Sequence, residues 1–183
     1  MHRLFVAIRP PEPIRDLLID AMDEGPELRW VGDDNLHLTL RFIGEVERPM
    51  ADDIAGSLAS VRSPEFELRL NGVGRFDRRG GGAVWAGVEP RAPVVELAAR
   101  IERSLVRTGL KPERRAFHPH ITLARYRRGD GDAARGFERK RADLSSPPFA
   151  VDRFMLFESH LSRHGAHYVE VASYALSAPP PRE

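Results

Sequence analysis

Two four-residue stretches of this chain carry the residue types that general acid–base chemistry needs, at matching spacing. One is His37-Leu38-Thr39-Leu40 and the other is His120-Ile121-Thr122-Leu123. The chain has only three Thr, and two of them follow a His by two residues. An unperturbed imidazole titrates at about pH 6.5, so it gives or takes a proton near neutrality. Two imidazoles on opposite sides of one phosphorus divide the work. One removes a proton from the attacking oxygen while the other protonates the departing oxygen. Two hydroxyls hydrogen-bond the non-bridging phosphate oxygens and hold the group in line. Because the departing oxygen is protonated rather than coordinated, such a site needs no metal, and a strained cyclic phosphate suits it. His37 and His120 are therefore the candidate catalytic residues, and Thr39 and Thr122 the candidate substrate contacts.

Strand geometry explains the spacing. Side chains alternate faces with a period of two, so His37 and Thr39 share one face while Leu38 and Leu40 share the other. The same holds for His120 and Thr122 against Ile121 and Leu123. The apolar set faces a core and the polar set faces a cleft. The elements around the motifs repeat. In the first part, Leu4–Ile8 reads as a strand. Ile14, Leu17, Leu18 and Met22 mark a helix closed by Gly25-Pro26. Leu36–Val46 reads as a strand, Met50–Val61 as a helix and Phe66–Leu70 as a strand. Arg78–Gly82 reads as a flexible turn. The second part gives a strand over Ala83–Val88, a helix over Val94–Thr108, a strand over Pro119–Tyr126, an Arg-rich helix over Ala133–Ala142, and strands over Phe149–Glu158 and His167–Leu176. His37 and His120, Met50 and Ala133, and Phe66 and Phe149 are each separated by 83 residues; Phe5 and Trp85 are separated by 80. A near-constant offset predicts an α+β fold of two pseudo-symmetric βα lobes, with antiparallel-rich sheets facing a central cleft. The lobes cover about 1–80 and 81–176 of a single domain over 1–176, and 177–183 form a flexible tail. A pseudo-twofold axis then gathers both His and both Thr at one site.

The longer matches are Leu4-Phe5-Val6-Ala7-Ile8, His37-Leu38-Thr39-Leu40-Arg41-Phe42-Ile43-Gly44-Glu45-Val46 and Pro119-His120-Ile121-Thr122-Leu123-Ala124-Arg125. On these the chain resembles the 2H phosphoesterase superfamily, and within it the bacterial and archaeal RNA 2′,3′-cyclic phosphodiesterases, also called 2′-5′ RNA ligases. The resemblance runs from about Met1 to Leu176. It implies hydrolysis of a terminal 2′,3′-cyclic phosphate to a 2′-phosphomonoester, and a weaker, reversible 2′-5′ joining of RNA ends. It implies that His37 is the acid and His120 the base; the pseudo-symmetry alone leaves that choice open. It also implies that Arg125 contacts the substrate. Strict alternation from His120 puts Arg125 on the wrong face, so a bulge or a strand end must turn it into the cleft.

Other features weigh less. Phe5, Phe42, Phe76 and Trp85 are sized to stack on a base, but core packing is the better reading for each. His118-Pro119-His120 puts two His on one face without a carboxylate to complete a metal site. His160, His164 and His167 fall around a turn at Gly165 and read as surface residues. Gly72-Val73-Gly74 and Gly80-Gly81-Gly82 lack the Lys-Ser/Thr of a phosphate loop. Arg78-Arg79, Arg114-Arg115 and Arg127-Arg128 make a basic rim or solvated loop charge.

The 183 residues, 42% hydrophobic and 30% charged, fit one soluble globular unit, and no run reaches the roughly 20 residues of a membrane span. The chain has no Cys, which excludes disulfides, thiol catalysis and Cys-ligated zinc. A net charge of +1 is not that of a protein held on duplex DNA by phosphate contacts alone. The expected partners are RNA ends or nucleoside 2′,3′-cyclic phosphates, with no membrane, no cofactor and no metal, for a monomer in the cytoplasm. The alternative function is a non-catalytic nucleotide-binding module that uses the same cleft, with a metal-dependent phosphatase as a third reading.

Overall fold

A computed structural model describes residues 1–22 and 26–178. Among them the chain forms β1 (His2–Ile8), α1 (Glu12–Ala21), β2 (Arg29–Trp30), a 3-10 turn (Asp33–Asn35), β3 (Leu38–Val46), α2 (Arg48–Leu58), β4 (Phe66–Arg78), β5 (Gly81–Glu89), α3 (Arg91–Arg107), β6 (His120–Arg127), α4 (Gly131–Lys140), β7 (Phe149–Val151), β8 (Arg153–Ser162) and β9 (Gly165–Ala175). Both α1 and α2 carry Pro in their first two positions, where a missing N–H breaks no helical hydrogen bond.

The strands join in the order β7-β4-β5-β6-β3-β1-β8-β9, with β2 added beside β6. Every paired neighbour is antiparallel. The expected two-lobed α+β arrangement is present, with the two sheets joined edge to edge where β3 meets β6. Only Leu38 and Ile121 pair across that seam. The chain path is crossed. β4, from the first sequence repeat, pairs with β5, while β8, from the second, pairs with β1. Each sheet half thus contains a strand from the opposite sequence repeat.

Alternation along β1 and β8 separates two layers. Leu4, Val6, Ile8, Phe154 and Leu156 enter the large core, which α2 and α3 also line through Ile54, Leu58, Val94, Leu97, Ile101 and Leu105. Phe5, Ala7, Met155 and Phe157 point the other way and form a second, smaller cluster with Tyr168. Burying both faces of β1 from Leu4 to Ile8 explains why that stretch is apolar without alternation. Between α2 and α3 the buried Ser104 hydroxyl is satisfied by Ser57, 2.6 Å away.

Several boundaries differ from expectation. The strand expected to stop at Leu70 continues to Arg78, because β5 pairs with it from Val73 to Arg78. Gly81 and Gly82 are not a flexible turn but the start of β5. A side chain there would sit 2.0 Å from the Tyr126 carbonyl or 2.1 Å from that of Phe76, so close strand approach requires glycine. The segment 149–158 divides at Asp152 into β7 and β8. β2 was not expected. α1 ends at Ala21, and the expected stop at Gly25 lies outside the described residues. Of the expected tail, 179–183 also lie outside them, while Ser177 is fixed by backbone hydrogen bonds to Ser63 and Glu65. Among the described residues no helix is long and apolar enough to cross a membrane.

Candidate active site

The β3–β6 seam positions both motifs. With Leu38 opposite Ile121, the antiparallel register places Thr39 opposite His120 and His37 opposite Thr122. Leu38 and Ile121 are buried in the core, so the four polar side chains share the opposite face. The two His then lie on a diagonal of the ladder, where neighbouring residues are roughly 7–8 Å apart and their Cβ atoms somewhat closer.

The two imidazoles are held in the same way. His37 Nδ1 is 2.6 Å from the carbonyl oxygen of Asn35, and His120 Nδ1 is 2.6 Å from that of His118. A carbonyl can only accept, so each Nδ1 carries the hydrogen and each Nε2 keeps its lone pair. In both cases the acceptor is the residue two places earlier. The sequence pattern of side chains carries no mark of it.

Aromatic rings wall both imidazoles, and the crossed chain path supplies them. His37 lies 5.0 Å from Phe5 and 5.3 Å, edge-on, from Tyr168, with Phe157 stacked on Phe5. His120 lies 5.0 Å from Phe76 and 6.0 Å from Trp85, which touch one another. Phe5 and Trp85 are repeat equivalents; on the exchanged strands Phe157, opposite Phe5, corresponds in register to Gly74, opposite Trp85, so Phe76 has no exact counterpart. Tyr168 was not singled out by its sequence context. Gly74 lets Trp85 lie against β4, since a Cβ there would be 2.4 Å from the indole. Of the four aromatics expected in the core, Phe5 is buried, but in the smaller cluster; Phe76 and Trp85 are half-buried around His120; Phe42 is 40% exposed.

Burial pushes the His37 pKa down to about 4, aided by repulsion from His120 and Arg125 and opposed by the Asn35 carbonyl. His120 is also lowered, chiefly by burial and further by His118, Arg125 and Arg78. Both rings are thus neutral in the empty site at pH 7.

Arg125 reaches the same face, and the device is a bulge. β5 pairs Val84 with Ala124 and Trp85 with Thr122, which leaves Leu123 as the extra residue. Leu123 and Ala124 are both buried and Arg125 emerges beside His120 and Thr122. The first repeat has the same irregularity: β1 pairs Val6 with Arg41 and Ala7 with Thr39, omitting Leu40. Leu40 and Leu123 are 83 residues apart, so the bulge obeys the repeat, and Phe42 stands where Arg125 stands in the other half.

Two cavities meet at Phe76, Arg78 and His120. The larger, of about 640 Å³, runs past Thr39, Phe42 and His118 to Val95 and Phe117. Its charged groups are mostly paired: Arg41 with Glu102 and Arg115 with Glu113. The smaller, of about 390 Å³, holds Thr122, Arg125, Arg78 and Arg29. His118 accepts a hydrogen bond from Arg91 at 2.9 Å, so its ring nitrogen is engaged. His160, His164 and His167 are exposed around the β8–β9 turn. Among the described residues, no group of three His, Cys, Asp or Glu is placed to hold a metal ion.

Comparison with known proteins identifies the family and the fold. Residues 10–163 match the family described as the 2′-5′ RNA ligase superfamily. The RNA 2′,3′-cyclic phosphodiesterase of Aeropyrum pernix is 37% identical over 79% of this chain and 84% of its own length. That of Escherichia coli is 33% identical over 96% of this chain and 97% of its own. The crystal structure of E. coli LigT complexed with 3′-AMP superposes with a TM-score of 0.75 at 32% identity, covering 96% of this chain and 98% of that one. A fold shared over nearly the whole length, together with two motifs meeting at one seam, places this chain in the 2′-5′ RNA ligase superfamily.

Proposed function

We propose that this protein hydrolyses the 2′,3′-cyclic phosphate at an RNA end, or of a nucleoside, to the 2′-phosphomonoester. The observation that supports this most is the matched pair of Nδ1-anchored imidazoles, close enough for His120 to act electrostatically on His37, with both Nε2 lone pairs unused. The names of the relatives and the 3′-AMP bound by E. coli LigT point to the same substrate class.

The cyclic phosphate docks with its non-bridging oxygens on Thr39, Thr122 and Arg125. His120 Nε2 removes a proton from water as the water oxygen attacks phosphorus. The P–O3′ bond breaks, and protonated His37 gives its Nε2 proton to O3′. His120 finishes protonated and His37 neutral, and solvent resets both. His37 must be charged to act as the acid although its pKa in the empty site is about 4. The substrate's negative charge supplies the opposite term, raising the ring's pKa as it binds. Protonation of the leaving oxygen makes a metal unnecessary. A 5′-hydroxyl in place of water gives a 2′-5′ linkage by the same proton transfers.

The test is turnover of a nucleoside 2′,3′-cyclic phosphate in the presence of a chelator. Activity persists in the wild type and falls by about 10²–10⁴ in His37→Ala and in His120→Ala. Binding without turnover in the wild type identifies a nucleotide-binding module instead, and loss of activity in chelator identifies a metal enzyme.

A further inference from the structure

The smaller cavity beside His120 contains more positive charge than one cyclic phosphate requires. Arg29, Arg78 and Arg125 all line it, and no carboxylate does. Among the described residues none of these three guanidinium groups has an ion pair, whereas Arg9, Arg15, Arg41, Arg75 and Arg115 each have one. Arg29 and Arg125 are also direct cross-strand partners, facing each other where β2 pairs with β6. Like charges opposite one another on a ladder are destabilising. β2 is only two residues long, and its pairing places one of those residues against a second cation. The larger cavity is the reverse case, since its apolar wall is broader, Glu102 and Glu113 pair with its Arg41 and Arg115, and of its arginines only Arg78, on the boundary between the two cavities, is shared with the smaller one.

We propose that the cavity formed by Arg29, Arg78 and Arg125 is a second phosphate subsite, which takes the phosphodiester linking the terminal nucleotide to its 5′ neighbour. This rests on the hydrolytic reading above and extends it: the preferred substrate is an RNA end rather than a free nucleoside cyclic phosphate. Arg125 lies between the two anions, beside Thr122 and His120 on one side and opposite Arg29 on the other. The terminal nucleoside occupies the larger, more apolar cavity. The chain turns across His120 so that its next phosphate meets Arg29 and Arg78. Guanidinium suits this role because its planar donors grip two phosphate oxygens at once. A phosphodiester in this position also relieves the Arg29–Arg125 repulsion.

The experiment compares kcat/KM for a nucleoside 2′,3′-cyclic phosphate, a dinucleotide ending in the same group, and that dinucleotide with a neutral methylphosphonate linkage. The wild type favours the charged dinucleotide by roughly three- to tenfold over the other two, a factor expected for exposed charge-assisted contacts. Arg29→Ala abolishes the preference while the mononucleotide rate changes less than twofold, and Arg78→Ala reduces it. Without ligand, Arg29→Ala melts no lower than the wild type, because it removes a like-charge pair. Equal rates on all three substrates, or an Arg29→Ala loss equal on mono- and dinucleotide, overturns the proposal. Calorimetric binding of a dinucleotide 3′-phosphate against a nucleoside 3′-phosphate reads the subsite without turnover. If no cyclic phosphate is hydrolysed, the hydrolytic reading fails, and an Arg29-dependent advantage in that titration still decides the subsite.

Discussion

Replacing His37 by Asn tests the electrostatics of the site in the absence of substrate. Asn keeps an amide donor for the Asn35 carbonyl and removes the titrating ring. The wild-type ring has a pKa near 6.5 when unfolded and about 4 when folded, mainly through burial against Phe5 and Tyr168. Between those values the unfolded chain binds a proton that the folded protein refuses. Stability associated with His37 is therefore complete above pH 6.5 and is lost as pH falls toward 4. A shift of roughly 2.5 units corresponds to about 3 kcal/mol. Urea unfolding of both proteins across this range measures it. The wild-type stability relative to His37→Asn is constant above about pH 7 and declines by about 3 kcal/mol by about pH 4. Carboxylates and His120 titrate in both proteins and largely cancel. Parallel stability curves would mean that the ring is well solvated, and the account of why substrate must charge it would be wrong.

Because both imidazoles are lowered, kcat/KM, which reports the empty enzyme, peaks on the acid side of pH 6.5. The limbs of kcat lie higher than those of kcat/KM, since bound phosphate favours the charged rings; a kcat/KM still rising above neutrality contradicts this. Thr39→Val and Thr122→Val each lower kcat by about tenfold with little change in stability, as one phosphate hydrogen bond is lost; stopped-time assays and thermal melts separate the two effects. Gly74→Ala destabilises by about 1–3 kcal/mol, because the added methyl collides with Trp85. Its urea midpoint falls, and the fluorescence of Trp85 shifts with it. Ser104→Ala costs about 1 kcal/mol by removing the hydrogen bonds its hydroxyl makes to the Ser57 hydroxyl and carbonyl between α2 and α3, while the Ser57 hydroxyl keeps the Ser104 carbonyl, readable in the same unfolding assay.

Much of this arrangement is legible in the sequence, for physical reasons. Period-two alternation places His37 with Thr39 and His120 with Thr122, and an 83-residue offset announces two related halves. The helical stripe of α3 reads directly from Val94, Leu97, Ile101 and Leu105. What is not legible depends on pairing partners. The extension of β4 to Arg78 comes from β5 lying beside it, not from its own alternation. The Leu123 bulge that turns Arg125 toward His120 is a register shift against β5, and no local residue type encodes it. β2 is too short to have a period, so Arg29 gives no signal until Arg125 is seen opposite it. The backbone carbonyls of Asn35 and His118 fix both tautomers, and every residue has a carbonyl, so sequence cannot distinguish those two.

The exchange of β4 and β8 between the sheet halves has a consequence for how the two rings can be altered. Phe76 belongs to the first repeat but packs on His120, and Phe157 belongs to the second but packs on Phe5, which backs His37. The molecule is cross-braced, so neither duplicate owns its imidazole environment. A substitution drifting into one copy retunes the proton donor or acceptor contributed by the other, which ties the inheritance of both copies together.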